Sequence, residues 1–214
     1  SNALDLAALT LTGNLSVTAG GAVTQSGALV IPGTTTISAS GFDVTLATAT
    51  NNFTGAVAVT GADVQLVDAG AIVLGASTVS GTYSVIATAS GGITQTGALA
   101  VTGVSTFQAD TSNDITLTTA TNNFVAAVGI TSGNNIQLVD AGAIDLGAST
   151  ITGTLAVTAT TGGDITDSAA ISVGGTPTIT AANGQDVILY SASTYTGTVA
   201  FAGTTLADVT INDS

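Results

Sequence analysis

The sequence predicts an all-β protein, a right-handed parallel β-helix (solenoid) of about nine coils with three short strands to a coil. Three observations predict it. The stretch QLVDAGAIVLGAST (65–78) returns as QLVDAGAIDLGAST (137–150) with a single change, Val73 to Asp145. Apolar residues alternate over short runs such as Leu15/Val17 and Leu29/Ile31, and the runs recur about every twenty residues. Gly, Asn and Asp gather between the runs, where turns need them.

The repeat governs everything else. GNLSVTAGGAVTQSGALVI (13–31), GTYSVIATASGGITQTGALAV (81–101) and GTLAVTATTGGDITDSAAISV (153–173) align. TATNNF stands at 48–53 and 119–124, with SASTYT (191–196) as a degenerate third copy. Three units follow, approximately 13–80, 81–152 and 153–214, with 68 residues from Gly13 to Gly81 and 72 from Gly81 to Gly153. Ser1–Ala3 reads as a scar of tag removal, so residues 4–214 are expected to form a single β-helix segment excised from a longer chain. A unit this long exceeds the usual repeat of about 20–50 residues and is expected to hold three coils of about 20–26 residues. Stacked at about 4.8 Å, nine such coils make a rod roughly 40–45 Å long. The right hand is preferred because left-handed solenoids usually show a strict hexapeptide period, and none is found.

The single change inside the copied block fits this scheme. Alternation in AIVL points Ile72 and Leu74 inward and Val73 outward. Asp145 takes the outward place in AIDL and Asp5 takes it in ALDL. Burying an unpaired carboxylate costs several kcal/mol, so the exchange reports a side facing water.

Composition excludes several classes of function. The chain of 214 residues has no Lys, Arg or His and 13 acidic residues, all Asp, for a net charge of −13. Phosphate recognition rests largely on Lys and Arg, so nucleic acid is excluded as a partner. Anionic membrane surfaces repel such a chain. No apolar run approaches the roughly 18–20 residues of a membrane helix, so no membrane insertion is expected. Without Cys there is no disulfide and no thiolate metal site. Hydrophobic residues nonetheless make up 45% of the chain, enough to bury a core.

One column of residues stands just before the second strand of successive coils: Ala22, Asp43, Asp63, Gly92, Asp114, Asn135, Asp164, Asp186 and Asp208. Its first reading is a turn, with Asx side chains bonding nearby backbone amides. Its second is a ladder of carboxylates about 5 Å apart that Ca²⁺ would bridge. The VDAG corners (67–70 and 139–142) read as turns, and Asn51/Asn52 and Asn122/Asn123 as corner asparagines capping the core. An ice-binding face needs Thr-x-Thr on one side of every coil, and only Thr178/Thr180 supplies it among the outward pairs of the first strands. A polysaccharide lyase needs a cationic base, which is missing. A glycosidase needs two carboxylates across a groove. Asp164 and Asp167 could be placed so, yet GGDITDSAA lies where the other copies read GGAVTQSGA and SGGITQTGA, as a drifted turn. Of the phenols, Tyr83 is expected to point inward and Tyr190 to sit at a strand end. No catalytic residue, cofactor or metal is therefore assigned, and the protein is not expected to be an enzyme.

LSVTAGGAVTQSGALVI and VTGADVQLVDAGAIVLGASTVSG, Gly-, Thr-, Val- and Ala-rich and free of Cys, resemble the β-helix repeats of filamentous-haemagglutinin-like bacterial exoproteins. These are adhesins exported by two-partner secretion. The resemblance covers residues 4–214 and lies in style, with no single diagnostic motif. It implies an extracellular, cell-surface rod acting as a structural stalk or spacer. It also implies that the parent protein uses a dedicated outer-membrane transporter. The alternative is a binding module whose face contacts host glycan or protein, or like chains end to end or laterally.

Overall fold

Every strand in this chain is too short to be stable alone, so each takes its backbone partners from the coils on either side. The computed structural model describes residues 2–88, 91–203 and 205–214, and among them there is no helix. Two strands, β1 (Leu4–Leu6) and β2 (Leu9–Thr10), open the chain. The first repeat then runs β3 (Leu15–Thr18), β4 (Val23–Gln25), β5 (Leu29–Ile31), β6 (Thr35–Ser38), β7 (Val44–Leu46), β8 (Asn52–Phe53), β9 (Val57–Gly61), β10 (Val64–Asp68), β11 (Ile72–Leu74) and β12 (Ser77–Val79). The second matches it strand for strand: β13 (Tyr83–Ala87), β14 (Ile93–Gln95), β15 (Leu99–Val101), β16 (Ser105–Gln108), β17 (Ile115–Leu117), β18 (Asn123–Phe124), β19 (Val128–Ser132), β20 (Ile136–Asp140), β21 (Ile144–Leu146) and β22 (Ser149–Ile151). The third comprises β23 (Leu155–Ala159), β24 (Ile165–Asp167), β25 (Ile171–Val173), β26 (Pro177–Thr180), β27 (Val187–Tyr195), β28 (Ala200–Ala202) and β29 (Val209–Asp213). All pairing is parallel, between each strand and its counterparts one coil before and after, which makes the protein a β-solenoid of about nine turns.

The expected three coils per unit give way to a different count. Each complete repeat, β3–β12 or β13–β22, contains ten strands, and ten strands on a three-sided solenoid make three and one-third coils. The extra strand comes from the copied block, where β11 and β12 both stack on β9. Val57 pairs with Leu74 and Thr60 with Thr78, laps of only 17 and 18 residues. Leu15, in contrast, pairs with Thr35, 20 residues on. The corner at Gly75, whose N–H donates to the Val57 carbonyl at 2.8 Å, turns the short lap early.

Each repeat therefore starts one side further round, about 120° from the last. On the first side, β3, β6 and β9 are followed by β12, β15 and β18. On the second, β4, β7 and β10 are followed by β13, β16 and β19, joined at Val64 and Tyr83. On the third, β14, β17 and β20 are followed by β23, β26 and β28, joined at Ile136 and Leu155. A position that recurs in sequence thus appears on a new side each time.

Period-2 alternation fills the interior as expected. Ile72, Leu74, Ile144 and Leu146 are buried, whereas Val73 and Asp145 are half-exposed on the outer row and Asp5 is exposed. Tyr83 does point inward and begins an edge-to-face series, 6.0 Å from Phe107, which lies 6.2 Å from Phe124. Tyr190 departs from expectation. It lies inside β27 and is 67% exposed, on the outer row that alternation sets after the buried Val187 and Leu189.

Two kinds of corner explain much of the glycine. A Cβ on Gly55 would stand 2.3 Å from the Gly33 carbonyl oxygen, and one on Gly103 2.4 Å from that of Gly81, so coils can close there only through glycine. Elsewhere a turn closes when the Phe42 amide donates to the Ala39 carbonyl, with Gly41 at φ 77°. The equivalent turn at 110–113 lacks glycine, and the Asp110 carboxylate steadies it by accepting the amide and hydroxyl of Ser112.

The outer row and inner row of one strand should respond oppositely to the same charge. Val73→Asp is expected to lower stability by about 1 kcal/mol or less, and Ile72→Asp by more than about 4 kcal/mol or to abolish folding. Urea unfolding of the two variants, followed by circular dichroism, checks this.

Candidate functional site: Asx columns and corner clasps

The predicted column of nine residues does not stand on one side. Ala22, Asp43 and Asp63 precede β4, β7 and β10 on the second side, and Gly92, Asp114 and Asn135 precede β14, β17 and β20 on the third. Asp164, Asp186 and Asp208 precede β24, β27 and β29, back on the first. The ten-strand repeat breaks the column into three. Nor do these residues bond their own turns. The Asp63 amide donates to Asp43 Oδ1 at 3.2 Å, and the Thr82 amide and hydroxyl donate to Asp63 Oδ1 at 2.7 and 2.8 Å. Asp114 likewise accepts from the Asn135 amide, Asn135 from that of Thr154, Asp164 from that of Asp186 and Asp186 from that of Asp208. Six of the seven Asx side chains, all but Asp208, cap the amide stacked one coil above, 19 to 22 residues on in sequence. Among the described residues no three acidic side chains converge where they could hold a metal ion.

A second polar arrangement lies inside the corners. Asn51 is fully buried, and its Oδ1 accepts the Leu29 amide at 2.9 Å and Gln25 Nε2 at 2.8 Å. Its Nδ2 donates to Gln25 Oε1 at 2.8 Å and to the Val67 carbonyl at 3.2 Å. Three successive coils are tied at that corner. Asp68 closes the clasp, with Oδ2 accepting the Phe53 amide at 2.6 Å and Oδ1 the Gly70 amide at 2.6 Å. Gln95, Asn122 and Asp140 repeat it bond for bond on the next side. The capping role expected of the paired asparagines therefore belongs to Asn51 and Asn122, while Asn52 and Asn123 are exposed.

The third copy is rebuilt. Tyr195 pairs with Val173 as Phe53 pairs with Ile31, so SASTYT aligns one residue away from the expected register. Ser193 then takes the place of Asn51, and its hydroxyl accepts the Ile171 amide at 3.0 Å. Asp167 replaces Gln25 and accepts the Tyr190 and Ser191 amides, and Asp213 replaces Asp68 and accepts the Tyr195 amide at 3.0 Å. Sequence reasoning took VDAG for a plain turn. The Gly70 bond is indeed that turn, but the carboxylate also holds the coil before it. The joint replacement of Gln by Asp and Asn by Ser in the third repeat was the signal that these positions touch.

Electrostatics divides the carboxylates. Burial pushes the pKa of Asp68 and Asp140 upward, against the lowering effect of the Phe53 and Gly70 amides and the Phe124 and Gly142 amides. The Thr82 amide and hydroxyl hold Asp63 below the ordinary range, as the Ser112 amide and hydroxyl hold Asp110. The carboxyls once imagined as a hydrolytic pair, Asp164 and Asp167, are both engaged with backbone amides of the coil above. The outward residues of the first strands, from Ser16 to Ala202, are shared among three sides, so no side carries the nine-coil row that an ice-binding face needs. A shallow groove on the second side is lined by Asp43, Thr45, Asp63, Gln65, Thr82 and Ser84.

A family model described as "Repeats of unknown function (DUF5649)" matches residues 1–60, 61–131 and 133–202. The chain belongs to that family. Its second and third matches begin at 61 and 133, the position where the first strand of the third coil gives way to the second. Neither a curated protein nor a solved structure matches the chain.

The pH dependence follows from the divided carboxylates. The unfolded value is 3.8, and Asp68 and Asp140 lie above it when folded, so the folded state binds their protons more tightly. Their contribution is fully present below 3.8 and is lost as pH rises through the folded values. Asp63 and Asp110, depressed when folded, contribute above 3.8 and lose that contribution as pH falls further. The melting temperature is expected to rise from pH 7 to about 4 and to fall below about 3. Relief of repulsion in a chain of net charge −13 adds to the rise. The double variant Asp68→Asn/Asp140→Asn should climb less steeply between pH 7 and 4. Calorimetric melts across that range check both slopes.

Proposed function

We propose that this chain is a non-enzymatic structural stalk or spacer of a secreted, cell-surface bacterial adhesin. The observation that supports the reading best is the ten-strand repeat. It carries every recurring feature round all three sides, so successive repeats give length without building a uniform face or a unique cleft. The described grooves are shallow, open and lined mainly by small polar side chains. The absence of Lys and Arg leaves trypsin no site, which suits an extracellular location. The composition also fits a filamentous-haemagglutinin-like parent exported through a dedicated outer-membrane transporter.

The second reading, a binding module for host glycan or protein, draws on the groove between Thr45, Gln65 and Ser84. Deletion separates the two. Removing residues 81–152 from the parent protein takes out one whole repeat, shortens the rod by roughly 16 Å and leaves the remaining coils able to stack. A spacer keeps its surface labelling by antibody on unpermeabilised cells and keeps adhesion. Loss of adhesion with intact surface display would make the segment a binder, and absence of surface label would contradict the adhesin reading itself.

A further inference from the structure

The groove of Asp43, Thr45, Asp63, Gln65, Thr82 and Ser84 on the second side is not isolated. It shares Thr45 with a depression that reaches back to Thr24 and Ala47, and Ser84 with one that reaches on to Gln108 and Thr131. Together they form one furrow along the axis from β4 to β19, about 24 Å long at about 4.8 Å a step. Its floor is regular. Thr45, Gln65, Ser84 and Thr106 are register partners on successive strands, so a hydroxyl or a carboxamide is offered at every step.

Asp43 and Asp63 stand exposed along the rim, one coil apart. Each uses Oδ1 as a cap, Asp43 for the Asp63 amide and Asp63 for the Thr82 amide and hydroxyl. Among the described residues no hydrogen bond reaches Oδ2 of either. The same row recurs on the third side, one repeat on, as Thr116, Gln137, Ala156 and Thr178. There Asp114 and Asn135 take the places of Asp43 and Asp63, and Ala156 that of Ser84. A carboxylate has become an amide and a hydroxyl a methyl, so the second side alone joins both carboxylates to an unbroken polar floor.

Two properties of the furrow define its occupant. The chain carries 13 carboxylates and no cation, so charge complementarity favours a positive partner between Asp43 and Asp63 and opposes a negative one. The floor repeats once per coil, at about 4.8 Å, whereas an extended peptide presents side chains to one face only about every 6.6–6.8 Å. Successive pyranose rings of a linear polysaccharide advance by close to one coil each, and their hydroxyls suit Thr, Gln and Ser side chains.

We propose that the furrow on the second side binds a linear polysaccharide of amino sugars with free, protonated amines, laid along the axis with about one ring to a coil. The proposal rests on the glycan form of the second reading and gives it a chemical class. Ammonium groups pair with Oδ2 of Asp43 and Asp63, and ring hydroxyls bond Thr45, Gln65, Ser84 and Thr106. Exposed ion pairs are individually weak, so selectivity comes from the match of the whole row.

Titration calorimetry at low salt with a glucosamine hexamer, its N-acetylated counterpart and hexalysine tests this. The glucosamine hexamer is expected to bind one per chain, at least tenfold more tightly than either of the others. Ser84→Tyr fills the furrow without changing charge, and Asp63→Asn gives its rim the amide of the third-side counterpart. Each should weaken binding at least tenfold with an unchanged circular dichroism spectrum. The reverse exchange, Asn135→Asp/Ala156→Ser, should raise the stoichiometry to two. Equal affinity for hexalysine, or binding that neither furrow variant weakens, would overturn the proposal, because attraction to net charge alone then accounts for it. Tighter binding of the N-acetylated hexamer would overturn the amine and leave glycan in the second reading. No saturable binding of either sugar would overturn the proposal and remove glycan from that reading as well. The stalk reading is untouched by all of these outcomes, because a stalk needs no ligand.

Discussion

Apart from a few local turns such as that of Phe42 on Ala39, the backbone bonds that shape this molecule run between coils, so the residue that matters most to any position is the one about twenty places along the chain. In a parallel solenoid a strand cannot satisfy its amides locally; it depends on a strand of the next lap arriving in register. The laps of this chain vary between 17 and 24 residues, and register survives because corners absorb most of the difference, with a shift inside the strand at Phe107/Gln108 and at Leu189/Ser193. Glycines that admit the carbonyl of the coil below do this at one corner. Turns that choose between Gly41 and the Asp110–Ser112 pair do it at another. The same constraint makes the column carboxylates from Asp43 to Asp186, with Asn135, caps for the coil above.

The ten-strand repeat is the second consequence. Copies of a nine-strand unit would keep the same residues in one column along the rod, and near-identical carboxylates would then stack for its whole length. Ten strands interrupt each column after three residues and restart it one side away. In a chain with 13 carboxylates and no cation, that spreads like charge around the axis. The buried clasps follow the same path, so each side is pinned once in three repeats by Asn51, by Asn122 or by the rebuilt Ser193 corner. The Asn51 and Asn122 amides are satisfied on both oxygen and nitrogen, the condition under which hydrogen bonds offset the desolvation of a buried amide and let it fix register.

Much of this was legible before any coordinates. Alternation assigned Ile72 and Leu74 to the core and Val73 to the outer row, because a period of two leaves no other arrangement for a half-buried strand. The exchange of Val73 for Asp145 located water. The count of strands was not legible, because AIVLGAST reads as one apolar run, and whether Gly75 ends a strand depends on the coil it lies upon. The Asp column misled for the same reason: spacing along the chain cannot say on which side a residue lands when the repeat is not a whole number of turns. Asp68 was underread because an Asx turn explains VDAG locally, and its bond to the Phe53 amide joins residues 15 apart. Tyr190 falls inside a strand because β27 runs on to Tyr195 and joins the strands on two sides, which the local pattern around it does not show.

The ten-strand repeat sets the path of every column and clasp, and its most direct test is a pair of spin-label distances at the point where the tenth strand enters. Thr60 and Thr78 are paired neighbours in adjacent coils, whereas Ile86 stacks over Val67 on the next side. Labels at 60 and 78 should show strong dipolar broadening, with backbones about 5 Å apart, and labels at 60 and 86 should show none. The reverse pattern, with 60 and 86 in contact and 60 and 78 apart, would mean nine strands to a repeat and would contradict the rotation of the faces.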